Sequence, residues 1–109
     1  MIETLKVLGQ VSPSATTLTD LYTVPADTSA TISTLCVCNH NGSKITFRVS
    51  VAVAGASDDT KQYIFRDQEV LSNDSLFATI GITLGAADVV RVYASATNVS
   101  FSVFGVELT

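Results

Sequence analysis

The sequence predicts an all-β chain: a single-domain antiparallel β-sandwich of about eight strands, jelly-roll or immunoglobulin-like in connectivity. Three observations carry that expectation. In Lys44-Ile-Thr-Phe-Arg-Val-Ser-Val-Ala-Val53 every second residue is apolar, so Ile45, Phe47, Val49, Val51 and Val53 share one face of a half-buried strand. Gly and Pro, with Asn, Asp and Ser, punctuate the chain at short intervals. No stretch holds a helical repeat over about ten residues.

Strands are expected near residues 4-11, 20-24, 29-39, 44-54, 61-66, 75-84, 88-95 and 98-108, the whole of 1-109 forming one domain. Residues 1-17 read as an N-terminal arm or as the first strand. Val24-Pro25-Ala26-Asp27 sets a bend, because the proline ring fixes φ and removes a ladder donor. Asn41-Gly42 has the chemistry of a tight hairpin turn leading into the 44-54 strand. Gly55 to Asp59 is a small polar loop, and Ser72-Asn73-Asp74 and Gly85-Ala-Ala-Asp88 each separate two apolar runs. In the 75-84 strand Leu76, Ala78, Ile80, Ile82 and Leu84 share a face. Thr97-Asn98 is short enough to join the last two strands as a hairpin. Val99, Phe101 and Val103 then face inward while Phe104 falls on the Ser100 and Ser102 face, which implies a bulge at Gly105 or a second contact surface.

Composition narrows the function. Only 15% of the residues are charged and 47% are hydrophobic, with a net charge of -4, so the chain packs or assembles rather than staying disordered. The six Lys and Arg are scattered, which argues against nucleic-acid binding. The start lacks a secretory pattern and no apolar run reaches the ~20 residues of a membrane span, so a soluble chain made in the cytoplasm is expected. The Asn-x-Ser sequences at Asn41, Asn73 and Asn98 are read as turns rather than glycosylation sites.

Cys36, Cys38 and His40 are the one cluster of soft ligands. Alternate residues of a strand lie nearly ~7 Å apart, too far for one zinc ion to collect all three, and Cys36 and Cys38 are poorly placed for a disulfide. Two reduced, buried cysteines and a turn histidine are expected, with no metal. A single His and no nucleophile or phosphate-loop motif leave no catalytic pairing, and no cofactor is implied. Asp27, Asp58, Asp59, Asp67, Glu69, Asp74 and Asp88 fall chiefly in turns, where carboxylates solvate the loop; a hydrolase or calcium site would need a convergent pair. Tyr22, Tyr63 and Tyr93 would make a sugar platform only if exposed together.

The ordered segments Leu21-Tyr-Thr-Val-Pro-Ala26, Ile32-Ser-Thr-Leu-Cys-Val-Cys-Asn39, Phe47-Arg-Val49, Asn73-Asp-Ser75, Gly81-Ile-Thr-Leu84, Asp88-Val-Val-Arg-Val-Tyr-Ala-Ser95 and Asn98-Val-Ser-Phe-Ser-Val-Phe-Gly-Val-Glu107 resemble a small all-β virion structural protein of tailed bacteriophages, familiar from phages of cyanobacteria. The resemblance covers about residues 18 to 108 and transfers no catalytic residue. It implies a non-enzymatic accessory protein of the virion, made in the host cytoplasm. Its partners would be other capsid or tail proteins and further copies of itself, a trimer among the closed forms. Capsid decoration comes first, with a tail, neck or baseplate position and a carbohydrate-binding receptor module as alternatives. Contacts are expected from the loops 55-59 and 67-74, hence Asp58, Asp59, Asp67 and Glu69, together with Phe104. Arg48 and Arg91, on outward faces, would supply interface ion pairs.

Overall fold

In the computed structural model, which describes residues 2 to 109, nine strands form two packed antiparallel sheets. They are β1 (Glu3–Val11), β2 (Thr19–Thr23), β3 (Ser29–Asn39), β4 (Ile45–Ala52), β5 (Tyr63–Val70), β6 (Ser75–Ala78), β7 (Ile82–Leu84), β8 (Val89–Ala94) and β9 (Val99–Leu108). Met1, which the sequence places in the N-terminal segment, lies outside the described residues.

The connectivity is nested. Among the described residues β4 and β5 are the only consecutive strands that pair with each other; around them β3 pairs with β6 and β7, β2 with β8, and β1 with β9. Rolling that ribbon lays β9 beside β3 and β8 beside β4. The result is sheet A, in the order β1-β9-β3-β6 with β7 also on β3, and sheet B, in the order β2-β8-β4-β5. This is a jelly roll. An immunoglobulin-like sandwich would keep its first two strands in one sheet, whereas here β1 and β2 lie in different ones.

The inner faces meet in a core of branched aliphatics centred on Phe47 of sheet B and Phe101 of sheet A, whose rings lie 6.0 Å apart, edge to face. Phe65 tilts against Phe47 at 5.4 Å. Removing either fully buried ring would cost about 3–5 kcal/mol, the usual range for a core Phe→Ala change.

Four local expectations are corrected. First, β8 and β9 do not form a hairpin: β8 belongs to sheet B and β9 to sheet A. Residues 95 to 98, with Asn98 at φ 61°, carry the chain across the sandwich, a step of about 10 Å that four residues can span. Second, Asn41-Gly42 is not a hairpin turn. It is a corner between β3 of sheet A and β4 of sheet B, and neither residue takes the positive φ of a tight two-residue turn. Third, the 75-84 strand is broken: β6 pairs with Leu35 to Cys38 and β7 with Ala30 to Ile32, the gap facing the irregularity of β3 at Ser33. Fourth, the 44-54 strand stops at Ala52, and Val53 turns out to 70% exposure in a 3-10 turn where Ala54 has φ 53°.

The irregularity expected at Gly105 is present, but the extra residue is Ser33 on the partner strand, standing between Ile32 opposite Gly105 and Thr34 opposite Phe104. A side chain at Gly105 would strike the Thr31 carbonyl oxygen, so only glycine lets β9 approach β3 so closely. Strand β9 keeps its alternation throughout, which leaves Phe104 on the outer face.

Candidate functional site

The two outer faces differ in chemistry. On sheet A the register places Leu5 and Val7 of β1 beside Val106 and Phe104 of β9. Thr34 and Cys36 of β3 follow, and Phe77 of β6 faces Cys36. Leu5 is 84% exposed, Phe77 69%, Val7 49% and Phe104 36%. The remaining outward positions are Ser, Thr, Gln and Cys together with Leu108, and Glu3 at one end is the only ionisable carboxylate or amine among the described outward residues. Four strands at ~4.8 Å spacing and a ten-residue β9 give this uncharged face roughly 500 Å².

Cys36 and Cys38 lie here as free, half-buried thiols, which corrects the expectation that both are buried in the core. Parity explains it: Cys36 pairs with outward Ser102 and Cys38 with outward Ser100. Burial, and then the neighbouring Cys38, push the Cys36 thiol above its ordinary pKa. His40 Nε2 lies 3.2 Å from Ser100 Oγ, but among the described residues no carboxylate bonds the ring to orient it as a base. No three His, Cys, Asp or Glu side chains of the described residues converge as a metal site would require.

Sheet B carries the charges, and it pairs them internally. Arg48 stacks over the Tyr93 ring at 4.4 Å and reaches Asp67 with Nε to Oδ1 at 2.7 Å. A bulge in β5 makes this possible: Arg66 and Asp67 together stand opposite Arg48, and Asp67 takes φ 56° to aim its carboxylate. The hydrogen bond from Arg48 holds the Asp67 carboxyl below its usual pKa. Arg66 stacks over Tyr63 at 4.8 Å, and Tyr63 donates to Asp58 Oδ1 at 2.8 Å. Arg91 bonds Asp20 at 3.2 Å and the carbonyls of Ala56 and Gly55 at 2.8 and 3.2 Å, pinning the 53–56 turn over the sheet.

The expected contact residues therefore divide. Phe104 is on sheet A, while Asp58, Asp67, Glu69, Arg48 and Arg91 are on or beside sheet B. Asp67 and Glu69 lie within β5 rather than in the loop expected at 67-74, because the strand runs on past its bulge to Val70. Asp59 caps the 3-10 turn Thr60–Gln62 through the Lys61 amide at 3.2 Å, and Glu69 pairs with Lys44 at 3.1 Å. Arg48 and Arg91 make their ion pairs within the chain rather than standing free. Tyr63 and Tyr93 share the outer face of sheet B, but Tyr22 is buried between the sheets, donating to Glu107, so the three tyrosines form no common platform.

A recess of about 340 Å³ lies at one end of sheet B, lined by Val51, Val53, Ala56, Lys61 and Gln62. Gln62 donates from Nε2 to the Ser57 carbonyl at 2.9 Å, while its Oε1 is buried without a donor. Sequence reasoning missed this feature, because it depends on β4 ending two residues before the expected point.

Comparison with models of known protein families gave no match, and none was found among curated proteins.

Proposed function

We propose that this chain is a non-enzymatic structural protein of a tailed-phage virion, an accessory component that docks on the capsid as a decoration protein. One observation supports it above the others: sheet A presents an outer face free of charge from Leu5 to Phe77, with four large apolar side chains in water. Such a face loses little when desolvated, since no ion must shed its hydration. The face extends over roughly 500 Å², the size of the largest patch on an ordinary monomer, which is often a functional one. The segments that resemble phage virion proteins, and a jelly-roll connectivity common in capsid domains, point the same way. Repetition on a symmetric particle turns a modest contact into firm attachment.

A tail, neck or baseplate position uses the same face and is the second placement. The carbohydrate reading has less support, because Arg48 and Arg66 already cover faces of Tyr93 and Tyr63 that a sugar ring would need.

Immunogold labelling of purified virions, from the phage whose genome encodes this sequence, tests the assignment. Regular labelling of heads is the expected result. Labelling confined to tails moves the protein to the second placement, and absence from washed particles overturns the proposal. Phe77→Asp and Phe104→Asp proteins should remain folded and fail to rebind stripped particles.

A further inference from the structure

The first strand ends sheet A with an open edge. Strand β1 pairs only with β9, runs for nine residues, and is exposed from Glu3 through Val7. Ile2 and Thr109 exchange both of their main-chain hydrogen bonds, at 2.7 and 2.9 Å. In an antiparallel ladder the next pairs to do so are Thr4 with Glu107 and Lys6 with Gly105. The N–H and C=O groups of Glu3, Leu5 and Val7 therefore point away from β9, toward solvent. These three are also the β1 residues of that segment whose side chains lie on the outer face of sheet A, Glu3 at its charged end and Leu5 and Val7 on its uncharged part.

We propose that β1 pairs antiparallel with β1 of a second copy, about a two-fold axis at Leu5. Parity selects this arrangement. Within the exposed segment Glu3 to Val7 only Glu3, Leu5 and Val7 offer outward main-chain groups, so a two-fold pair there must match odd residues with odd ones. With the axis at Leu5, Leu5 meets its equivalent, Glu3 meets Val7, and Thr4 meets Lys6. All five exposed residues are used and no like charges oppose each other. An axis at Lys6 would set two ammonium groups directly across from each other, which is destabilising. An axis at Thr4 leaves Val7 facing no residue of the partner strand.

Leu5, 84% exposed in the single chain, becomes the centre of the contact. The unpaired N–H and C=O groups of an edge strand are a ready template for pairing with another chain, and Leu5 and Val7 add exposed apolar surface beside them. The Lys6 side chain turns to the inner side and is held by Glu107 at 2.7 Å, so pairing leaves no buried free charge. The dimer joins two A sheets into one, and it stands independently of what the uncharged face covers.

Sedimentation of the purified full chain at rising concentration, with Leu5→Pro beside it, tests the pairing. The wild type should pass from monomer to dimer. Proline removes an N–H that bonds nothing inside the monomer, and an edge position tolerates its φ. It should weaken dimerisation about ten- to hundredfold, through the two main-chain bonds it deletes at the axis, with circular dichroism unchanged. Leu5→Cys gives the second test: a hydrogen-bonded pair sets the two Cα atoms about 5.5 Å apart, within disulfide reach. Mild oxidation should link Leu5→Cys chains faster than Thr4→Cys chains. A monomer persisting to about 1 mM, an oligomer that Leu5→Pro leaves intact, or equal cross-linking of the two variants would each overturn the proposal.

Discussion

The Tyr22 hydroxyl donates a 2.6 Å hydrogen bond to Glu107 Oε2, and so ties β2, the edge strand of sheet B, to β9 of sheet A. Lys6 of β1 closes on the other carboxylate oxygen at 2.7 Å. One buried carboxylate thus joins three strands from both sheets at the end of the sandwich where Ile2 pairs with Thr109. Its two partners, Lys6 first and Tyr22 second, hold the Glu107 carboxyl below its usual pKa. Burial, then the hydrogen bond to Glu107, push the Tyr22 phenol well above its own.

Tyr22→Phe should lower stability by about 1–3 kcal/mol, because a buried charged acceptor loses its donor. The pH dependence has two limbs. A carboxyl with a depressed folded pKa stabilises above the unfolded value near ~4.3, and the gain is lost as pH falls through the folded one. A phenol with a raised folded pKa stabilises below the unfolded value near ~10, and that gain drains away as pH rises beyond it. Urea titrations from acid to alkaline pH should show wild type and Tyr22→Phe converging at both extremes and differing most near neutrality. A constant difference across the range would contradict the coupling.

Asn39, buried at the end of β3, holds the corner where the chain passes between sheets. Its Nδ2 donates to the carbonyls of Ser43, Val70 and Leu71 at 3.0 to 3.1 Å, and its Oδ1 accepts from the Asn41 amide at 2.8 Å. Asn39→Ala should cost about 3 kcal/mol, since buried carbonyls and an amide lose their partner together. Asn39→Asp should be worse, because it turns a carboxylate toward three carbonyl oxygens. Denaturant midpoints of the two variants, ranked in that order, are the check.

How far the sequence discloses this fold can be judged from β8 and β9. Alternation at Val90, Val92 and Ala94, and again at Val99, Phe101 and Val103, reports which way each side chain points, and the core uses all six inward. It does not report which strand lies alongside, so a four-residue link reads equally well as a hairpin or as a crossing between sheets. Phe104 was legible as an outward apolar residue for the same reason. The Arg48 to Asp67 pair was not, because it depends on a bulge that two residues of β5 make against one of β4. Nor was the open edge of β1, whose exposure follows from its place at the end of sheet A rather than from its own residues.

Gly105→Ala probes the close approach of β9 to β3. The added methyl would meet the Thr31 carbonyl oxygen and press on the Ile32 Cα at 3.0 Å, both of them backbone atoms that cannot swing aside. The strands must part or the bulge at Ser33 must reorganise, at a cost of about 1–3 kcal/mol. Gly42→Ala is the control, with no heavy atom within 4 Å of the added carbon. Thermal unfolding should separate the two variants clearly; equal melting temperatures would mean that the Gly105 contact relaxes freely.

Cys36 and Cys38 turn the uncharged face into its own reporter. Both thiols are half-buried on the outer side of sheet A, two residues apart on β3 and flanked by Phe77 and the serines of β9. With its pKa raised by burial and by Cys38, Cys36 holds less thiolate at neutral pH than an ordinary cysteine. Its alkylation in the free protein should be slow at pH 7 and should accelerate with pH beyond the usual thiol range. When the protein sits on a particle through this face, both thiols lose access to reagent and labelling at a fixed pH should nearly stop. If the bound protein labels as fast as the free one, docking uses another surface, and sheet B with its paired arginines becomes the side to mutate next.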